Sequence, residues 1–228
     1  MTTDDPRFGG IARLYGVDAL ARLQDSHVVV VGIGRITLID LDEVCVTNTN
    51  RQLPAMEGNI GRPKVEVMAE RLRAINPACG VNPILDFLSP ANMEDYLGED
   101  VDCVVDCIDS IKAKVALIAW CRRRRIAVIT TGGAGGQTDP TQVTVSDLSK
   151  TVNDPLAAKA RSQLRRDHNF PKSGSKRSFG VPCVYSKEQL RYPQPDGSVC
   201  QQKAFVGEGV RLDCAGGFGA VTMVTATF

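Results

Sequence analysis

The sequence predicts an α/β fold: a Rossmann-like, mostly parallel sheet with flanking helices, extended by antiparallel strands in the C-terminal half. Three observations carry this. Short β-branched runs ("HVVVV", "RITLID", "VDCVVDCID", "IAVIT") alternate with helical stretches through the first half of the chain. The run "VDCVVDCID" is strongly apolar, as a strand buried between two layers would be. From residue 131 the pattern changes to "TGGAGGQTDPTQVTVSDLSKT", glycine-rich and then alternating apolar with polar, which suits an antiparallel strand with one wet face.

Each element has its own signal. "HVVVV" and "RITLID" are strands by β-branching. "RPKVEVMAERLRAIN" is a helix, with Pro63 suited to its first turn and Val65, Met68, Leu72 and Ile75 on one face. "VNPIL" is a weak strand, and "SPANMEDYL" a short helix with Ser89 as N-cap. Ser110 caps "IKAKVALIAWCRRRR", where Trp120 is a core residue. "IAVIT" is the next strand, and Asp154–Pro155 start the helix "DPLAAKARSQLRR". The basic stretch "DHNFPKSGSKRS" reads as a mobile loop. Hairpin-like pieces around "CVYS" and "GSVCQQKAFV" precede an apolar end.

At 228 residues the chain can bury a core without staples. A net charge of +1 gives no bulk field for nucleic acid, so any such contact needs a local patch. Eight cysteines are scattered singly without a C-x-x-C pair, which argues against structural zinc and for a reduced, cytoplasmic compartment. The uncharged run Ala215–Phe228 is too short to span a bilayer, and stops within an apolar pattern. A longer natural chain with a membrane-associated tail is compatible with that. His27 and His168 have no acid or cysteine at ligand spacing and read as surface residues.

A glycine turn at Gly32 and Gly34, ending the first strand, lets phosphates approach the backbone. Asp40 closes the next strand, where nucleotide-binding folds place an acid on ribose hydroxyls. Asp42, Asn48, Asn50, Arg51 and Gln52 follow in one polar loop, Lys64 begins a helix, and Asp109 ends another strand. In an open parallel sheet these positions converge outside the carboxyl ends of the strands. An acid for ribose, cations for phosphates and an acid for Mg2+ make an ATP site.

Together, "RFGGIARLYG", "VVVVGIG", "ITLIDLDEVCVTNTNRQ", "GRPKVEVMAERLRAINP" and "CIDS" resemble the ATP-dependent adenylating family of molybdopterin-synthase, thiamine-pathway and ubiquitin-activating enzymes. Within it, "CVTNTNRQ", "TTGGAGGQTDPTQ", "DPLAAKARSQLR" and "DCAGGFGAVTMVTATF" look most like the branch that dehydrates threonylcarbamoyladenosine in tRNA. The resemblance implies one adenylating domain over 1–228. Residues 1–145 would be its ATP-binding half, and 146–228 a substrate and dimerisation half with the basic loop at about 167–180.

It also implies roles: Asp40 on the ribose, Asn48, Arg51 and Lys64 on the phosphates, Gln52 supporting the loop, and Asp109 on magnesium. Arg7 or Arg13 would reach a partner subunit's ATP, and hence a homodimer is implied. The implied reaction adenylates the threonyl carboxylate and then closes a ring with loss of AMP. Activation of a ubiquitin-like sulfur carrier is the alternative within the family, and a non-catalytic dimeric binding protein the alternative outside it. A sulfur-transfer protein partner is compatible with either enzyme.

Cys214 precedes glycines and a helix start, where a thiolate would be stabilised. Two roles stand open for it, a pocket residue or a nucleophile, and an intramolecular ring closure needs no covalent enzyme intermediate. For tRNA the candidate patch is Arg165, Arg166, Lys172, Lys176 and Arg177, with Lys159 and Arg161 nearby. Arg122–Arg125 could also grip phosphates, but cations at a helix C-terminus already complement its dipole.

"VVVVGIGRITLID" leaves three residues between Val31 and Arg35. A parallel strand–helix–strand crossover needs roughly a dozen or more residues. The sequence therefore predicts that a crossover helix is missing at this join.

Overall fold

A computed structural model describes residues 34–98, 100–193, 199–201, 220 and 222–228. Gly32, Arg7, Arg13, His27, Cys214 and the run "HVVVV" lie outside the described residues.

Two parallel units frame the molecule. Strand β1 (Arg35–Ile39) pairs with β2 (Gly80–Ile84) in parallel register, Arg35 against Gly80 and Ile39 against Ile84. Helix α1 (Lys64–Ile75) is the crossover between them. Its buried face is Val65, Val67 and Ala69, while Ile75 is 46 % exposed. The face predicted from Val65, Met68, Leu72 and Ile75 thus holds for the first turn and is lost at the last. There the chain leaves the helix at Asn76.

The larger sheet has strand order β3-β4-β6-β5. β3 (Cys103–Asp106), β4 (Ala127–Thr131) and β6 (Pro182–Ser186) are parallel neighbours, and β5 (Val143–Asp147) lies antiparallel to β6. The architecture is therefore α/β with a mostly parallel sheet and an antiparallel addition, as the alternation of runs predicts. "CVYS" forms β6, an inner strand parallel to β4, not a hairpin arm. Its alternating face, with Cys183 and Tyr185 buried, belongs to the core. A short antiparallel pair, β7 (Tyr192–Pro193) with β8 (Val199–Cys200), follows.

Helices α3 (Ile111–Arg124) and α4 (Pro155–Asp167) pack on the sheet and on each other. Ile118, Ala160 and Leu164 are fully buried against Val104, Val128 and Cys183. Each large apolar side chain removed from water in this way contributes about 1.5–3 kcal/mol. Asp154 caps α4 as its Asp-Pro signature predicts, accepting from the Ala157 amide at 2.8 Å. Trp120 is only half-buried at the core margin, with the Arg124 guanidinium 5.3 Å from its ring centre. Helix α2 (Met93–Tyr96) starts at Asn92 and not at Ser89. Ser89 instead donates its hydroxyl and amide to Asn92 Oδ1. The chain closes on the short helix α5 (Thr222–Thr225).

No helix among the described residues is long and apolar enough to cross a membrane. Neither does any group of three His, Cys, Asp or Glu side chains among them have metal-site geometry.

Candidate active site

A cleft of about 690 Å³ opens beyond the carboxyl ends of β1 and β3. Within each sheet parallel pairing sends the segments after neighbouring strands out at one edge, and the residues that follow β1, β2 and β3 line the cavity together. Asp40, Asp42, Arg51, Gln52, Lys64 and Asp109 all line it. Six polar positions spread over 70 residues of sequence thus meet in one cavity, while Asn48 and Asn50 of the same loop do not line it.

The loop after β1 is a clasp. Val44 and Gly61 close it through backbone bonds, Val44 N to Arg62 O and Gly61 N to Val44 O, both at 2.8 Å. That closure sets the start of α1 beside Asp42. The Lys64 ammonium lies 2.8 Å from Asp42 Oδ2, and its amide donates to the Asp42 carbonyl at 2.9 Å. Asp40 Oδ1 accepts from the Asp42 amide at 2.9 Å, so the two acids are turned by one local bend. Arg51 donates Nη1 to Thr47 O and Asn50 Oδ1, both at 2.9 Å, which fixes the guanidinium at the cleft wall. A helix N-terminus, a lysine and an arginine on one side favour an anion there.

Two residues predicted for phosphates do other work. Asn48 is buried and absent from the cleft wall; its side chain accepts from the Cys45 amide at 3.0 Å and holds the clasp. Gly34 stands at the amino end of β1, where its carbonyl accepts from Gly80 N at 2.9 Å. It is a strand's length from Asp40 and does not line the cavity. Gly34 directly precedes β1, so the five residues of the strand separate it from Asp40.

Below the cleft a buried network joins β3, β4 and α3. The Lys114 ammonium, 1 % exposed, bonds Asp106 Oδ2 at 2.7 Å, Thr130 Oγ1 at 3.0 Å and Thr131 O at 3.1 Å. Thr130 in turn donates to Asp106 Oδ2 at 2.6 Å, and Asp106 Oδ1 accepts from Ile108 N at 3.0 Å. The turn carrying Asp109 is therefore hung from a satisfied ionic core. Sequence reasoning passed over Lys114, although a lysine running directly into Val115, Leu117 and Ile118 was a signal for it.

The far wall is Asp86, Phe87 and Tyr96. The Tyr96 hydroxyl donates to Asp86 at 2.5 Å, drawing that carboxyl below its usual range with help from the Phe87 amide and raising the phenol. Cys107 lines the cavity beside Asp109, where desolvation by its surroundings and then the Asp106 charge push its thiol up although it is exposed at the surface.

The glycine-rich segment after β4 serves packing. A β-carbon on Gly132 would lie 1.9 Å from Asp154 Oδ2, which accepts from Gly133 N at 2.9 Å. Only glycine lets that cap pass under the strand end.

The predicted basic loop faces elsewhere and is tethered. Arg165 Nε donates to Pro171 O at 3.1 Å at one end. At the other, Asp147 accepts from the amides of Phe179, Gly180 and Val181 at 2.8–3.1 Å. The composition that suggested mobility did not reveal this distant carboxylate. Of the predicted patch, Arg166 is paired with Asp167 and Arg165 lies over the Phe179 ring, whereas Lys172, Lys176 and Arg177 are exposed.

Known proteins resemble this chain in sequence and fold. Residues 26–175 match the model of the ThiF family. The tRNA threonylcarbamoyladenosine dehydratase of Escherichia coli is 54 % identical over 238 positions, covering 97 % of this chain and 88 % of its own. That of Haemophilus influenzae is 52 % identical over 240 positions, covering 98 % and 89 %. The crystal structure of the E. coli tRNA N6-threonylcarbamoyladenosine dehydratase in complex with ATP superposes with a TM-score of 0.83 at 48 % identity, over all of this chain and 91 % of that one. The E. coli molybdopterin-synthase adenylyltransferase is 29 % identical over about half of each chain.

Of 228 residues, 97 % is about 221, so 238 aligned positions leave about 17 in the relative with no counterpart here. By the extent of the match and the likeness of its relatives, the chain belongs to the ThiF family.

Proposed function

We propose that this protein catalyses the ATP-dependent dehydration of threonylcarbamoyladenosine in tRNA. The observation that carries the reading is the meeting of Asp40, Arg51, Lys64 and Asp109 in one cleft at the carboxyl edge of the sheet. Support for the substrate comes from the names of the relatives that are 52–54 % identical.

Asp40 accepts the ribose hydroxyls, with the Asp42 amide holding its carboxylate in place. Arg51 and Lys64 bind the phosphates. An oxygen of the threonyl carboxylate attacks the α-phosphorus, and the bond to pyrophosphate breaks. A neighbouring atom of the same modification then bonds to the activated carbon and gives up its proton to solvent, and AMP leaves carrying one of the carboxylate oxygens. The net change is loss of water, taken up in the cleavage of ATP. Charge grows on the leaving pyrophosphate, and cations already aimed at it stabilise that charge without reorganising.

Asp109 is exposed on the cleft wall, without an ion pair among the described residues. One carboxylate beside bound phosphates is the donor set Mg2+ favours, so the residues fit the ion. Bound there, it would add Lewis-acid neutralisation of the phosphates. Arg7 or Arg13 from a second subunit, in a homodimer, would complete the phosphate site. Cys214 is a pocket residue in this reading, since ring closure needs no enzyme nucleophile.

The likeness to a molybdopterin-synthase adenylyltransferase keeps activation of a ubiquitin-like sulfur carrier as the second reading. Release of AMP and pyrophosphate on addition of tRNA bearing threonylcarbamoyladenosine, and not of a carrier protein, supports the first. The reverse supports the second.

A further inference from the structure

Six exposed cations of the described residues lie toward the end of the larger sheet away from the cleft. β4 and β6 are parallel, so their amino ends share an edge, and Arg125 and Gly180 stand two residues before them. Asp109 and Gly132 follow carboxyl ends instead. Helix α3 starts at the cleft and ends in the arginine run; at 1.5 Å per residue its 14 residues set the two sites about 21 Å apart.

Contacts join the helix end to the tethered loop. Gly180 has φ +66, and a β-carbon there would lie 3.0 Å from Arg122 Nη2, so the loop returns directly against that guanidinium. Asp147 pins the amides on either side of this contact. Arg125 adopts the left-handed cap conformation, φ 62, where glycine is the usual residue. An arginine retained in a disfavoured conformation directs attention to its charge. Arg122, Arg123, Arg125, Lys172, Lys176 and Arg177 are all exposed, and no carboxylate pairs with them among the described residues. Arg124 and Arg166, by contrast, are neutralised by Glu94 and Asp167.

We propose that these six cations form one rigid face that grips the phosphate backbone of the tRNA substrate, remote from the nucleotide being modified. The proposal rests on the tRNA reading above. Contacts of this kind position RNA through its phosphates and leave sequence unread. At about 21 Å from the cleft it serves an RNA of tertiary size and not a short fragment.

The test is binding of labelled full-length tRNA to wild type, to R122A/R123A/R125A and to K172A/K176A/R177A across a salt series. Each triple variant is expected to bind at least tenfold more weakly near 0.15 M salt, with a log–log salt slope shallower by about two to three. Retained ATP binding shows that the fold is intact. If the first triple variant misfolds because Arg122 has left Gly180, the pair R123E/R125E gives the same readout, with the same tenfold loss expected. Wild type that fails to bind tRNA would remove the functional reading itself. Wild type that binds while the variants match it in affinity and slope would remove this face alone. Loss of binding to anionic-lipid vesicles with tRNA binding unchanged would overturn it equally.

Discussion

Lys64 and Asp42 are joined twice across 22 residues of sequence, through the Lys64 amide to the Asp42 carbonyl and through the ammonium to the carboxylate at 2.8 Å. The backbone bond fixes where the lysine stands, and the ionic one aims it. Asp42 is 55 % exposed, so solvent screens the pair and a nucleotide phosphate can compete for the ammonium. K64M is expected to lower the adenylation rate by about 10²–10³-fold, the scale for losing one aimed donor. D42N keeps the backbone bond and should cost only a few-fold. Single-turnover AMP formation measures both.

The buried pair Lys114 and Asp106 makes a stability prediction. Removing one partner strands a charge, and K114M should destabilise by about 3–5 kcal/mol. The double variant K114M/D106L removes both charges and should regain much of that loss. Urea unfolding compares the three proteins.

Asp147 governs an acid limit. Burial acts to raise its carboxyl, but the hydroxyl and amide of Ser149 and the amides of Phe179 and Val181 outweigh it, and the net displacement is downward. A group depressed on folding stabilises fully above its unfolded value, about 3.9, and loses that contribution as pH falls through the lower folded value. Wild type should therefore keep the 179–181 anchor down to about pH 4. In D147N the Phe179, Gly180 and Val181 amides should exchange with deuterium faster even at neutral pH.

Thiol chemistry separates the cysteines. Burial pushes Cys121 and Cys183 up to about 12, whereas the Thr47 hydroxyl, 3.3 Å from Sγ, draws the exposed Cys45 below its ordinary value. Among these three, an alkylating reagent at pH 8 should label Cys45 first and leave the buried pair untouched in the folded state. Peptide mass mapping reads the order.

What the sequence revealed and what it hid divide along contact range. Alternation of β-branched runs located β1, β3 and β4, and the polar loop with its flanking Lys64 foretold the cleft. Local signals sufficed there, because parallel neighbours within each sheet send their strand ends to one edge. Asn48 was misassigned because its partner, the Cys45 amide, exists only once the clasp has closed. The loop at 167–180 read as mobile from its glycine, proline and lysine content, yet a carboxylate about 30 residues upstream, on β5, ties it down. Gly34 was placed by analogy with a full phosphate loop, and the short join puts it at the wrong end of its strand.

The central claim is that this cleft adenylates the threonyl carboxylate of modified tRNA. The most direct measurement incubates the protein with ATP and tRNA bearing threonylcarbamoyladenosine, then counts AMP and analyses the released nucleoside by mass. One AMP formed for each nucleoside that has lost one water, with both products suppressed in K64M, is the result expected. Unchanged nucleoside, with ATP consumed only when a ubiquitin-like carrier protein is supplied, would contradict it.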